Sequence, residues 1–508
     1  MGFSSPIPLR TPLGYSAEVL TAIFIGAAGA ILVFAAMLKG TTVSIAAMLT
    51  IPMLVIVLLR PRVGALLLIF AMFFIEEFPG GVSEEDVVRS ERTPFYAVTL
   101  GIQTFYIPDA MVLGLLALYI GHSLVRRTSF PFQLDKIGIA ILMVAGTVLV
   151  TLLVSAASPH PFGDPVLDLR LVGVVALPDK VARMIALLQF KLFLLIIPAY
   201  LVGLFFFQEE RDIKQMFLVV MLALVGTVLL ASYRIASDPA MVRAMIAVVY
   251  DTATVWILAM SIFFFAGMWA CGKYRPSRAI LITVFSLAML VIILLSFRRT
   301  MWGATALALM FFPFILPKES RGRIAMLMAI GICILLPILG GTPIGHVILS
   351  SVMARAQETS LDNSSTLYRF AIFVWTFRHM AEIPLFGYGV EPLWNEIMRV
   401  RFFETSMENI HSLYFWILLR LGPAGTLVCS AALILVFIRL RQVHRMMVQD
   451  QYKILVGVIF LGVLMFLFSG IFNPDYARIR FLVPLGLMLA MVTRLPHIME
   501  KSKTVNGP

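Results

Sequence analysis

Residues 251–316 read DTATVWILAMSIFFFAGMWACGKYRPSRAILITVFSLAMLVIILLSFRRTMWGATALALMFFPFIL. Three apolar runs, about 251–271, 279–297 and 300–316, are separated by the basic connector GKYRPSR and by the short turn SFRRT. Runs of this length suit helices crossing a hydrocarbon core of about 30 Å. They are continuous rather than alternating, which excludes the strands of a membrane barrel. In lipid every backbone group needs an internal partner, so such runs are read as helices.

Working outward, the same pattern recurs before and after this stretch, with about 14 runs of roughly 15 to 28 residues. The preceding runs lie at about 17–38, 42–59, 63–78, 107–125, 137–156, 186–207 and 214–233. The following ones lie at about 324–342, 411–438, 454–473 and 481–496. The expected fold is therefore all-α, a polytopic helical membrane protein. One bundle is expected over 1–342, a large outer loop carrying short helices over 343–410, and a second bundle over 411–508. Run 17–38 is too long for the core of a signal peptide and reads as an uncleaved first span.

Composition supports the class. The chain is 60% hydrophobic and 13% charged, with a mean hydropathy of +0.96; soluble domains carry about 25% charged residues. The net charge of +12 does not point to nucleic acid, because most of the basic residues fall in short connectors between runs. With the N-terminus placed in the cytoplasm, alternate connectors hold Arg60 and Arg62; Arg126, Arg127 and Lys136; Arg211 and Lys214; Lys273, Arg275 and Arg278. The series continues with Lys318, Arg321 and Arg323, then Arg439, Arg441, Arg445 and Lys453, and ends at Lys501 and Lys503. Both termini are then cytoplasmic, and connectors 79–106, 157–185, 234–250 and 343–410 face outward. Segment 157–185 mixes Pro, Asp and apolar residues as an interfacial helix would. Cys271, Cys333 and Cys429 lie in or beside apolar runs without a CxxC pair, so neither a disulfide framework nor a zinc site is indicated. Within the runs, Lys191 is the obvious ionisable group.

Four features of the outer side carry candidate chemistry. Arg298 and Arg299 stand where the positive-inside rule asks for no arginine; they either snorkel to headgroups or grip an anion such as a phosphate. Arg369 follows the helix-capping residues Ser364, Ser365 and Thr366 on an amphipathic stretch too short to span. The turn IPLFGYGV over 383–390 contains Gly387 and Gly389 and reads either as plain turn chemistry or as an approach of backbone N–H groups to a ligand. His411 opens a span, with Glu408 and Asn409 close enough in sequence to orient it. An imidazole suits general-base work near neutral pH, although a lone histidine is more often structural.

These residues together resemble the O-antigen ligase and O-antigen polymerase superfamily of bacterial envelope glycan enzymes. His411-Ser412, nine residues, then Gly422-Pro423-Ala424-Gly425 is similar to the ligase pattern of His, Asn/Ser/Gln, nine residues and Gly-x-x-Gly. Arg369, Trp375 and the PLFGYG segment are similar to the elements that precede it, and SFRRT resembles an upstream Ser-Arg element. Departures are Phe373 where the family's Arg-x-x-x-Leu element has leucine, a displaced Ser-Arg pair, and more spans than usual. The resemblance runs from Ser296 to Gly425.

The resemblance implies an inverting, metal-free glycosyltransferase without a cofactor, in the inner membrane with its site facing the periplasm. Its donor would be a glycan on undecaprenyl diphosphate, and its acceptor another glycan, lipid A-core or a protein. An O-antigen ligase and a polymerase for O-antigen, exopolysaccharide or lipopolysaccharide chains are equally open. His411 would be the base, and Arg369 with Arg299 or Arg298 would hold the diphosphate. Partners are the lipid-linked donor, the acceptor and membrane lipids, and no nucleic acid. The rival is a polysaccharide transporter or flippase, which would carry ionisable residues near mid-membrane.

Overall fold

The computed structural model describes residues 60–76, 106–126, 135–157, 194–238, 247–249, 251–341, 412–472 and 479–506, with short pieces between 345 and 389. Its helices are α1 (Pro61–Phe74), α2 (Ile107–Arg126), α3 (Lys136–Ala157), α4 (Ile196–Phe206), α5 (Glu210–Ser237) and α6 (Thr252–Ala270). Then follow α7 (Pro276–Leu295), α8 (Arg299–Ile315), α9 (Lys318–Gly341), α10 (Leu413–Met446), α11 (Asp450–Ser469) and α12 (Ile479–Asn506). Among the described residues eight helices are long and apolar enough to cross a membrane, and α1, α4 and α8 are shorter apolar helices. The protein is an all-helical, multi-pass membrane protein. The expected runs 17–38 and 42–59 lie outside the described residues, as do Lys191 and most of connectors 79–106 and 157–185.

Local sequence sets where the helices begin. Pro61 and Pro276 occupy first-turn positions, where a missing N–H is no loss. Asp212 reaches back to the amides of Gln208 and Glu209 at 2.9 and 2.8 Å, closing the start of α5. Asp251 accepts from the Ala253 amide at 2.9 Å and caps α6.

Packing orders the helices into a centre and a rim. The most hydrophobic window is 83% buried in α12 and 72% in α6 and α11, against 22% in α7, so the first three form the centre. The α4–α12 pair depends on small residues, as helices in lipid do. A Cβ placed on Gly203 would stand 2.5 Å from Ala490 Cβ, and one on Gly486 2.7 Å from the Ile196 carbonyl. Trp256 of α6, fully buried, donates its indole N–H to the Gly462 carbonyl of α11 at 2.8 Å.

The helix ends sort onto two faces. On one, Arg439 pairs with Asp135 at 3.0 Å, Lys273 with Asp450 at 2.9 Å, and Tyr452 donates to Glu210 at 2.8 Å. There too Arg494 donates to the Phe207 carbonyl, Arg323 to the Ala270 carbonyl, and His444 meets the Ile315 carbonyl. These contacts join the ends of α4, α6, α8 and α10, and Arg494 in the second half of α12, to the starts of α3, α5, α9 and α11, where the sequence places most of its basic connectors. The opposite face holds the ends of α1, α5, α7 and α11 and the starts of α6, α8, α10 and α12, tied by the contacts described next.

Candidate active site

The PLFGYG turn and the Gly-Pro-x-Gly segment, 33 positions apart at their glycines Gly389 and Gly422, close on each other. The 3₁₀ turn Met380–Glu382 delivers buried Ile383 and the loop that follows it. Gly387 donates back to the Pro384 carbonyl at 2.8 Å, a turn that places Gly387 at φ +73°. The loop then bonds to α10: Gly389 N–H to the Arg420 carbonyl at 3.1 Å, Ala424 N–H to the Leu385 carbonyl at 3.1 Å, and the Arg420 guanidinium to the Gly389 carbonyl at 3.0 Å.

This clasp explains a difference from the sequence reading. The run expected as one span over 411–438 is a helix pair, broken at Gly422 with φ +71° and ψ −177° and restarted at Pro423. Only glycine adopts that backbone at little cost. Backbones also meet here: a Cβ on Gly422 would stand 2.2 Å from the Gly387 nitrogen, and one on Gly387 2.5 Å from the Arg420 carbonyl. Gly425 sits one turn on, where a Cβ would meet Leu421 and Thr147. The motif glycines Gly387, Gly389 and Gly422 are thus parts of one joint.

The start of α10 is fixed separately. Leu413 N–H donates to the Gly470 carbonyl at 2.6 Å, and Tyr414 O–H to the Leu467 carbonyl at 3.0 Å. Phe373 and Phe377, from the segment between α9 and α10, stand edge-on to Phe415, with centroids 4.5 and 6.1 Å apart. Ser412 is buried and holds the N-cap backbone geometry, but its side chain does not cap the helix.

The arginine turn lies on the same face. Phe297, buried, takes φ +52°, a left-handed conformation disfavoured for an aromatic residue. Its surroundings hold it there. Ser296 Oγ donates to the Ile293 carbonyl at 2.6 Å and accepts from the Arg298 amide at 3.3 Å, and the Trp302 indole donates to the same carbonyl at 3.0 Å. Arg298 is thereby the N-cap of α8 and Arg299 its first residue. A helix N-terminus carries partial positive charge and disfavours cations by about 0.3–1 kcal/mol. Two arginines at that end therefore meet a local electrostatic penalty, which a bound anion would offset.

The C-terminal end of α11 joins the two parts. Its Phe468 ring packs on Gly303, one turn after Arg299, and its Gly470 bonds to Leu413, two residues after His411. Arg369, Trp375, Glu408 and His411 themselves lie outside the described residues. The structure therefore assembles Gly387, Gly389, Gly422, Gly425 and Ser412 around α10, with Arg298 and Arg299 across α11.

Several charged residues here escaped the sequence reading. Arg420 is buried within the apolar stretch WILLRLG, so Lys191 is not the one notable ionisable group in a run; an arginine among such residues was the signal. Arg480 and Asp251, both fully buried, form an ion pair, and Arg480 also donates to Thr254 Oγ1 at 2.7 Å and to the Met72 and Phe73 carbonyls. Arg234 pairs with buried Glu76 at 3.0 Å. Among the described residues, no three His, Cys, Asp or Glu side chains gather as a metal site would require.

Residues 284–430 match the family model described as O-antigen ligase. The matched stretch opens in α7 and closes in α10, so it contains the arginine turn, the segment between α9 and α10 and the whole clasp. No curated protein matches the chain. Over that stretch the match supports the O-antigen ligase/polymerase superfamily.

Proposed function

We propose, with that superfamily as the premise, that this protein is a membrane glycosyltransferase moving glycan from undecaprenyl diphosphate to an acceptor sugar hydroxyl. The inner membrane holds it, with both termini cytoplasmic and the clasp at the periplasmic face. The observation that carries the reading is the clasp itself. Two separate elements of the family pattern, PLFGYG and GPAG, meet backbone to backbone beside the helix that His411 introduces.

In the proposed reaction the acceptor hydroxyl oxygen attacks the anomeric carbon while His411 removes its proton, with Glu408 orienting the imidazole. The bond from the anomeric carbon to the diphosphate oxygen breaks, and undecaprenyl diphosphate leaves with the electron pair. Attack from the far side inverts the anomeric centre. Arg369 with Arg299 or Arg298 holds the diphosphate and balances the charge that grows on it. A diphosphate is already a good leaving group, so positioning and fixed positive charge supply most of what the reaction needs. The acceptor is another lipid-linked chain for a polymerase, or lipid A-core or a protein for a ligase.

Complementation of a glycan-deficient strain tests this, with His411→Ala and Arg369→Lys compared at equal membrane levels by immunoblot. The expected result is loss of long-chain glycan in both variants. Gel banding separates a ligase, whose loss leaves unattached long chains, from a polymerase, whose loss leaves single repeats. Full activity of His411→Ala would refute the mechanism and favour a transporter or flippase.

A further inference from the structure

We infer that Glu76 and Arg234, remote in sequence from the arginine turn, are a positioning pair that sets where Arg298 and Arg299 point. This rests on the reading that the turn grips a diphosphate, and it adds residues that the reading does not use. Glu76 follows the outer end of α1, and Arg234 lies in the last turn of α5. One guanidinium nitrogen of Arg234 meets both Glu76 carboxylate oxygens, at 3.0 and 3.1 Å, and the Val248 carbonyl at 2.8 Å. Val248 in turn donates its N–H to the Leu295 carbonyl at 3.2 Å, the last residue of α7 before Ser296. The chain of contacts therefore runs Glu76, Arg234, Val248, Leu295, and ends at the turn.

Three observations make this more than a staple between helices. Residues 247–249 are non-helical yet buried, and irregular backbone at membrane depth survives only where protein satisfies its polar groups. Val248 uses both its amide and its carbonyl for that purpose, one toward each neighbour. Three residues on from Val248, Asp251 is locked by Arg480, so Val248 and Asp251 are each held by an arginine contact. Lastly, the turn it backs contains Phe297 at φ +52°, and a strained residue keeps its conformation only when its surroundings over-determine it. With the Val248 anchor gone, the end of α7 can shift and Phe297 can relax, which moves the two arginines that follow it.

The test uses the full-length protein in detergent, with donor and acceptor half-saturation measured separately and inorganic pyrophosphate as a binding probe by thermal shift. Glu76→Leu with Arg234→Met replaces the pair by apolar groups of similar size and leaves no buried orphan charge, a change that bundles often tolerate. Its expected result is a melting temperature near wild type, about tenfold weaker donor half-saturation, unchanged acceptor half-saturation, and loss of the pyrophosphate shift. Arg234→Lys keeps the charge and both acceptors within reach and is expected to restore most of the donor affinity. Unchanged donor half-saturation in the double variant overturns the inference, as does an equal loss for donor and acceptor together with lower melting. A wild-type protein that neither transfers glycan nor responds to pyrophosphate overturns the proposed function as well, so the two failures are distinguishable.

Discussion

Replacing Gly422 by alanine should open the clasp without unfolding the bundle. The new Cβ would stand 2.2 Å from the Gly387 nitrogen, 2.3 Å from the Leu385 oxygen and 2.6 Å from the Pro384 oxygen, all backbone atoms that cannot rotate away. Holding alanine at φ +71° and ψ −177° adds a strain of about 1–3 kcal/mol. Releasing the loop forfeits the three hydrogen bonds between it and α10, each worth about 1 kcal/mol. Letting go of the loop, at about 3 kcal/mol, is therefore cheaper than tolerating the clash, and far cheaper than global unfolding at about 5–15 kcal/mol. Hydrogen exchange reads this directly. The amides of Gly389 and Ala424 donate across the clasp, and their exchange should accelerate by about 100-fold while helix amides elsewhere stay protected. Thermal melting should barely move, and long-chain glycan should disappear. As a control, Gly331→Ala in α9, where nothing lies within 4 Å of the added Cβ, should be neutral or slightly stabilising. Retained protection at Gly389 and Ala424 with retained activity in Gly422→Ala would refute the clasp as a working joint.

Two further predictions concern the ion pairs. Arg480→Met should lower stability by about 3–5 kcal/mol, because Asp251 would be left charged and fully buried; adding Asp251→Asn should recover most of that loss in a melting experiment. Asp135→Asn, on the opposite face, should cost about 1–2 kcal/mol through its weakened bonds to Arg439, Thr493 and Tyr200, and donor half-saturation should not change.

Periodicity and charge made the helices and their polarity legible. Each described helix coincides with an apolar run, and the basic connectors meet on one face, because both signals are local. The glycines of PLFGYG and GPAG were visible as breakers, and Gly422-Pro423 carried the signature of a helix restart. Their contact was not visible, since it depends on a hydrogen-bond register between segments 33 positions apart. Arg480–Asp251 and Arg234–Glu76 join residues 229 and 158 positions apart. In sequence each of these residues stands at the edge of an apolar run, where a charge is unremarkable. The kink within run 411–438 escaped for a different reason: hydropathy averages over a single non-helical residue.

Where the backbone is strained bears on what the protein does. Both faces solve the same electrostatic problem, pairing charges at helix ends where water and headgroups begin. Among the described residues, however, the positive-φ positions divide unequally. Gly272 lies in a connector of the basic face, whereas Phe297, Gly387, Gly389 and Gly422 all lie on the other. A connector that only reverses the chain needs one glycine. Four such positions on one face, three of them in a single joint and the fourth immediately before Arg298, imply that geometry there is held against local preference. Strain of this kind persists where it pre-organises a site. For phosphate leaving-group chemistry, pre-organised cations and a fixed base are the main contributions a protein can make. A transporter needs the opposite property, a polar path that changes side, and the described ion pairs sit saturated at helix ends on both faces. Rigidity concentrated at one face thus favours chemistry at the membrane surface over passage through it.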